Sequence, residues 1–484
     1  MSEHLPVDAS LDRPRSRFAF LLRPWFLVTA TVLAVLVAIP LAYRSTRFTG
    51  IPPIEDIVDL ESIGHVDITD DENAFTYYHR AWKSLPKYDD QAVADAQDVI
   101  ADGWNTVPQT AKDAVRLCEP ALIEWKRGTD CRSGVRIQPA DIRLDDISAH
   151  SEAREFIRLV PLHGAKLIHE RKVDEAWSWL RAMCRYSRHL GNPGTMIDRL
   201  TGMTAFAMAS PQLAEWAVHP DVTENHLRQA LSYLKEFDQQ TALPSVTIQI
   251  EYLSLRQCLT ESDDLGMLSE VFPEIDDYPD WLEQSYLFVR GEPDLCLLLL
   301  RHLTANHLSQ CDLPRPERRV AGTARELFDP PVAKSPQTLL ASKKLDELSR
   351  RSEFVELLDM ASLSLVDACD RELARRQALE LCLWVEIFRR RHGTYPDSLD
   401  ALVPEFVAEI PRDVFGLTAA DRMLMFRREP AAAVKPGDEF EEESLDTAPG
   451  LIIYSRGDNG IDDGGRIDFS DDIGLRIPIP VQVE

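Results

Sequence analysis

Seven side-chain oxygen donors fall close together near the end of the chain: Asp458, Asn459, Asp462, Asp463, Asp468, Asp471 and Asp472. Gly457, Gly460, Gly464 and Gly465 are interleaved with them. Carboxylates and amides are the ligands of a hard cation such as Ca2+, which takes six to eight oxygens. Glycine lets the backbone close tightly around such a centre. Three readings follow from these residue types. The loop binds structural Ca2+, or it serves a metal-dependent hydrolase, or it is a solvated turn whose Asp and Asn side chains bond nearby backbone. It is not an EF-hand, because placing Gly460 or Gly464 at that loop's fixed glycine leaves a non-ligand where a second carboxylate is needed.

Other catalytic constellations are missing from the sequence. There is no HExxH, GxSxG, P-loop or dinucleotide GxGxxG pattern. His163 and His169, like His302 and His307, miss the i, i+4 spacing that puts two ligands on one helical face, so surface or helix-end positions are expected. Paired carboxylates carry no signal in a chain with 80 acidic residues. No catalytic residue is assigned, and the expectation is a protein that is not an enzyme.

The elements around the loop are short. Leu451–Tyr454 reads as a strand leading into it, and Met423–Phe426 as a partner strand. Residues 429–447 read as an exposed connection, and Gly474–Val483 as a last extended edge containing Pro478 and Pro480. Upstream, a helical pattern runs in one or two segments from about Thr338 to Arg391. Ala378, Leu381, Cys382, Val385 and Phe388 form its apolar stripe. Arg389, Arg390, Arg391 and His392 complement the dipole of its final turn, and Gly393 is placed to terminate it. Residues 336–484 are therefore expected to form an α+β module: a long helix and a small antiparallel sheet.

Residues 71–335 read as an α-helical domain. Asp70 or Asp71 is placed to cap its first helix. Val173–Leu190 carries a clear helical stripe, stopped by Gly191 and Pro193, and Thr195 with Asp198 reads as a capping box for the next helix. With the preceding segment Glu152–Arg171 it makes a helical hairpin. The pair resembles a tetratricopeptide repeat weakly, through Gly164 and Ala176, but no period of roughly 34 residues recurs. An irregular helical-hairpin domain is expected, of the kind that serves as a binding surface or spacer. A proline-rich boundary at 311–336 (Pro314, Pro316, Pro330, Pro331, Pro336, with Gly322) closes it.

Pro24–Tyr43 contains no charged residue. At 20 residues it spans about 30 Å as a helix, the thickness of a bilayer core. Trp25 and Tyr43 stand at its ends, as interfacial aromatics do. Arg13, Arg15, Arg17 and Arg23 precede it, and only Arg44 and Arg47 follow closely, so the tail 1–23 is expected in the cytoplasm and the bulk of the chain outside the membrane. A cleaved signal peptide has a shorter apolar core and a small-x-small site, which does not follow cleanly here. Residues 44–70 read as an acidic linker.

The net charge of −27 argues against nucleic acid as a partner, since phosphate affinity is built from clustered Lys and Arg. An apolar content of 44% suits core-forming protein. Eight cysteines, with no CxxC among them, exclude zinc ribbons and thioredoxin motifs while permitting disulfides outside the cytoplasm. Cys184 and Cys382 fall on apolar helix faces, where core packing is the simpler reading.

Four pieces of the C-terminal part stand in a telling order. They are Arg391-His392-Gly393-Thr394-Tyr395-Pro396; then Ser398-Leu399-Asp400-Ala401-Leu402; then Ile410-Pro411-Arg412-Asp413-Val414-Phe415-Gly416; and last Tyr454-Ser455-Arg456-Gly457-Asp458-Asn459-Gly460, closed by Asp471-Asp472-Ile473. This order resembles the globular part of type II secretion major pseudopilins, over about residues 365–475. The resemblance implies a pilin-like fold and a terminal loop held to its sheet by Ca2+. Position by position, it puts Asn459 where the family has an aspartate, and Asp471 and Asp472 at the closing acidic positions. Asp458, Asp462, Asp463 and Asp468 are ligand candidates by chemistry alone. At the other end the chain departs from the family. No glycine cleavage signature precedes the membrane segment, and no glutamate lies five residues into it. The expected protein is a single-pass, non-catalytic envelope protein. It presents a helical interaction domain, with a protein partner in the envelope, and a calcium-stabilised pseudopilin-like module. A metal-dependent extracytoplasmic hydrolase is the alternative.

Overall fold

The computed structural model describes residues 24–58, 65–142, 149–261, 279–320, 328–329, 342–416, 423–428, 450–467 and 471–478. The tail 1–23, the connection 429–447, part of the proline-rich boundary and Asp468 lie outside those residues. The chain divides into two compact units, Met1–Pro53 with Gly266–Leu297, and Ile54–Leu265 with Leu298–Glu484.

The first unit is built on helix α1 (Pro24–Phe48). Its stretch Val28–Phe48 is long and apolar enough to cross a bilayer, and none of it is buried within the protein. The helix continues past Tyr43 through Arg44 and Arg47, so the first residues of the expected linker are its last turn. A second helix of this unit, Asp280–Arg290, packs beside α1.

The second unit is mainly helical, as its periodicity predicts. Helices α2 (Ala74–Ser84), α3 (Asp90–Val99), α4 (Gln109–Asp130), α5 (Ala149–His169), α6 (Val173–Gly191), α7 (Met196–Val218), α8 (Glu224–Gln239) and α9 (Pro244–Glu261) follow one another. The cap of α2 is Asn73, which accepts from the Phe75 N–H, and neither Asp70 nor Asp71 takes that place. Asn73 is favoured there because its amide also donates to the Val135 carbonyl at 2.8 Å, which ties the cap to the chain after α4. Helices α5 and α6 form the expected hairpin. A Cβ at Gly164 would come within 3.1 Å of Leu180, so the glycine marks where the two helices touch. Thr195 and Asp198 make the full capping box at the start of α7. Gly202 lets α7 press against α6, since a Cβ there would sit 2.3 Å from the Ser187 carbonyl oxygen.

Further along, a long helix, Glu353–His392, follows a short one at Ser342–Ser349, and ends on Gly393 with a left-handed φ of 74°. Besides a two-stranded pair at Arg319–Val320 and Phe328–Asp329, the unit holds a three-stranded antiparallel sheet: β1 (Met425–Arg428), β2 (Gly450–Ser455) and β3 (Ile473–Pro478), with β2 in the centre. The first strand starts two residues later than the sequence suggests. Met423 makes only an isolated bridge to Arg412.

All six positions of β2 are buried, which suits a central strand covered on both faces. One face rests on the long helix, and β3 packs against both that helix and α7. A large hydrophobic core follows, with smaller clusters around Met203 and around Phe415 beside it. It runs from Ala74 and Trp125 through Trp179 and Phe206 to Leu381, Ile453 and Ile477. Residues 71–335 and 336–484 contribute to it together. Cys184 and Cys382 lie in it, and all eight cysteines are free thiols.

Two of the scattered histidines differ from expectation. His163 and His302 are buried inside their helices, whereas His169 is exposed at the end of α5 and His307 stands, buried, in the last turn of the helix Asp294–Leu308. Spacing within a helix reveals a stripe. It does not reveal that a second helix covers the opposite face as well.

Candidate functional site

The acidic loop begins where β2 ends. The Ser455 hydroxyl donates to Asp413 at 2.7 Å and accepts from the Gly457 N–H at 3.1 Å. Asp413 also accepts from the Phe415 N–H at 3.0 Å. Thus the turn at 410–416 and the strand end at 454–457 are joined by one buried hydrogen-bonded chain. Burial pushes the Asp413 carboxyl up, and its N–H and hydroxyl donors only partly offset that. Gly457 adopts a left-handed φ of 61°, and a Cβ there would fall 2.0 Å from the Asp471 carbonyl oxygen. The two ends of the loop therefore close on each other through a contact only glycine permits.

The donors divide into an outer and an inner set. In the outer set, Asp458 binds the Arg315 guanidinium, and Asp471 lies 3.9 Å from Arg371. Asn459 is exposed and spends its side-chain oxygen on the Ile461 N–H at 2.8 Å, a local turn bond. In the inner set, Asp462 accepts from the Tyr454 hydroxyl at 2.7 Å and the Gly464 N–H at 2.9 Å, with Arg427 at 3.8 Å. Burial works against its charge, but the Tyr454 and Gly464 bonds outweigh it and hold the carboxyl below the usual range. Asp472 is buried and accepts from the Gly465 N–H at 2.8 Å. Its carboxyl is pushed up, first by burial and then by the charges of Asp463 and Asp462, against the pull of Gly465.

Do these residues fit Ca2+? Among the described residues, no group of three or more His, Cys, Asp or Glu side chains is arranged to hold an ion. Asp472 feels the charges of Asp463 and Asp462, which a divalent cation beside it would offset. Asp458, Asn459 and Asp471 point to other partners, so the described residues form no ready cage.

A residue that sequence reasoning passed over organises the outside of the loop. Arg315, in the proline-rich boundary, binds Asp458, pairs with Asp367 at 2.7 Å and Asp370 at 3.0 Å, and lies 4.7 Å over the Phe415 ring. Arg318 adds two bonds to the buried Asp370, at 2.7 and 3.0 Å. Asp367 and Asp370 stand one turn apart on the long helix, so two arginines fasten loop, helix and turn together. A second ionic cluster lies deeper. Glu372 of the long helix faces Arg188 at 2.5 Å and Arg199 at 3.8 Å, all three nearly inaccessible. Burial raises the cost of the Glu372 charge, yet Arg188 and Arg199 hold its carboxyl below the usual range. Burial also pulls Arg188 down to about 10, and its guanidinium lies 3.7 Å over Phe237. Only the acid pair Asp367-x-x-Asp370, one helical turn apart, hints at the first cluster in sequence, and nothing local hints at the second.

Comparison with family models, with curated proteins and with solved structures finds no match.

Proposed function

We propose that this chain is a single-pass membrane protein with a cytoplasmic N-terminus, whose extracytoplasmic part is a non-catalytic scaffold for an envelope protein partner. The observation that carries the reading is α1: a helix whose apolar stretch is exposed, with Leu33 and Leu36 at 58% and 61% exposure. A water-soluble chain has no use for such a wall, and a bilayer supplies its cover. The state of the acidic loop supports the non-catalytic part. Asp458 is held by Arg315, and Asp462 and Asp472 accept from Tyr454, Gly464 and Gly465, contacts that fix the loop. The test is extraction and protease access. The full chain should stay in the membrane pellet after alkaline carbonate, and protease added outside the cytoplasmic membrane should degrade the region after Phe48. Release into the supernatant, or protection of that region, would refute the reading.

Ca2+ on the inner acids is a second proposal, favoured by the raised Asp472 carboxyl beside Asp462 and Asp463. These three would hold the ion, and it would supply charge neutralisation that keeps the pilin-like loop closed. A ligand at 100 times its Kd adds about 2.7 kcal/mol to the stability of the state that binds it. Calcium should therefore raise the melting temperature of the full chain by several degrees over the chelated protein, and Asp472→Asn should abolish the difference. Identical melting curves with Ca2+ and with chelator would sink this proposal while leaving the scaffold reading intact.

A further inference from the structure

Part of the segment expected as an acidic linker is fastened down. Residues 54–58 join no helix or strand, yet they are held within the second unit. Asp56 accepts from the Tyr252 hydroxyl at 2.6 Å and from Arg256 at 2.6 Å, and Arg301 stands 3.7 Å away. Tyr252 and Arg256 are one turn apart on α9 and share a face. Arg301 comes from the helix Asp294–Leu308. Arg256 also reaches the Val58 carbonyl at 3.5 Å, and Val58 itself is buried. This strap is thus gripped through one carboxylate and, two residues on, one aliphatic position.

Charge and access make the grip a binding site. Two guanidinium groups and a phenol converge on a single carboxylate, and the Arg301 Nε is buried with no hydrogen-bond partner among the described residues. Burial works against the Asp56 charge, but the Tyr252 and Arg256 bonds outweigh it and hold its carboxyl below the usual range. The side chains of Asp56, Arg256 and Arg301 remain 33%, 20% and 26% exposed, so a carboxylate from outside can reach the cations. Tyr252 also lines a cleft with Leu255, Leu300 and Leu303, which sets an apolar wall next to them.

We propose that Tyr252, Arg256 and Arg301 form a peptide-binding site, occupied in cis by the strap 54–58 and filled in trans by an acidic segment of the envelope partner. The inference rests on the scaffold reading, which supplies that partner. Charge complementarity and the strap's own sequence, Ile54-Glu55-Asp56-Ile57-Val58, define what the partner presents: a carboxylate with an aliphatic residue two positions after it. A tethered occupant competes at an effective concentration of roughly millimolar, so the strap masks the site until a partner displaces it.

The test uses the full chain in detergent micelles, with a fluorescent peptide of the sequence 51–58 as probe. Asp56→Ala should bind the probe at least roughly tenfold tighter than wild type, because the competing occupant is gone. Adding Arg256→Ala should remove the gain, and a probe with alanine in place of its aspartate should not bind. Equal binding by wild type and Asp56→Ala, or equal binding of the alanine probe, overturns the inference. A second measurement needs no variant. In the wild-type chain, excess probe should speed hydrogen exchange at the amides of Ile57 and Val58 and leave α9 unchanged. Strap amides that exchange only with global unfolding, whatever the probe concentration, overturn it as well. Dimerisation of the wild type that Asp56→Ala abolishes would assign the site to a second copy's strap and overturn the partner. None of these outcomes bears on the membrane reading, which the carbonate extraction decides separately.

Discussion

Replacing Arg315 with Ala should loosen the acidic loop before it affects the rest of the fold. The side chain is 13% exposed and serves Asp367, Asp370 and Asp458 at once. Breaking a buried ion pair leaves an unpaired charge and costs about 3–5 kcal/mol in general. Two features lower that figure. Asp370, the most buried partner, keeps Arg318 at 2.7 Å, and Asp367 and Asp458 are 43% and 28% exposed, so water can reach them. The lost stacking on Phe415 returns about 0.5–1 kcal/mol. Together these give about 2–3 kcal/mol, expressed locally, because the shared core contains none of the contacts removed. The assay is native-state hydrogen exchange on the amides of Gly457, Ile461, Gly464 and Gly465, each bonded to a loop side chain or to Ser455. Their exchange should quicken about 30- to 150-fold, since each 1.4 kcal/mol is tenfold. Arg315→Lys should recover little, because an ammonium cannot reach three carboxylates with one fork. Unchanged exchange at these four amides in Arg315→Ala would refute the hub argument.

Glu372→Gln should destabilise the second unit by about 3–5 kcal/mol, since it strands the buried Arg188 and Arg199; a urea midpoint equal to wild type would contradict it. Gly202→Ala should cost about 1–3 kcal/mol by forcing α6 and α7 apart, checked by thermal melting, and a melting temperature equal to wild type would contradict it. Acid should destabilise through two histidines. Burial holds His163 down to about 4 and His189 to about 3, so below 6.5 the unfolded imidazoles take up protons that the folded ones refuse. Their stabilisation is present above pH 6.5 and is lost as pH falls towards about 4, with a slope of at most about 1.4 kcal/mol per pH unit for each. Urea midpoints at pH 7 and 5 should show a smaller drop in His189→Gln than in wild type, and an equal drop would dismiss the histidine.

Much of the local architecture is written over three or four residues at a time, and that part is readable. Gly191, the Thr195–Asp198 box and Gly393 act on their own helix ends, so the sequence marks them. The strand into the loop is marked by an unbroken apolar run. What escapes reading is pairing at distance. Arg315 and Asp458 are 143 positions apart, and nothing around either announces the other. Glu372 sits in a helix rich in exposed charge, where one more acid carries no sign that it faces inward to two arginines. The inner and outer division of the acidic loop is likewise invisible, because it depends on which arginine lies across from each carboxylate. Asn73 displaces its acidic neighbours as a cap for a similar reason, its second bond being to Val135, far along the chain.

The seat of β3 on α7 has a temporal consequence. Ile473–Pro478 lies against Met196–Val218, so residues made early wait for residues made late before their shared core is dry. Until position 478 has left the ribosome, Met196–Val218 lacks part of its cover. Chains interrupted before Ile473 would present that apolar face to proteases, so the order of synthesis itself works as an inspection of completeness.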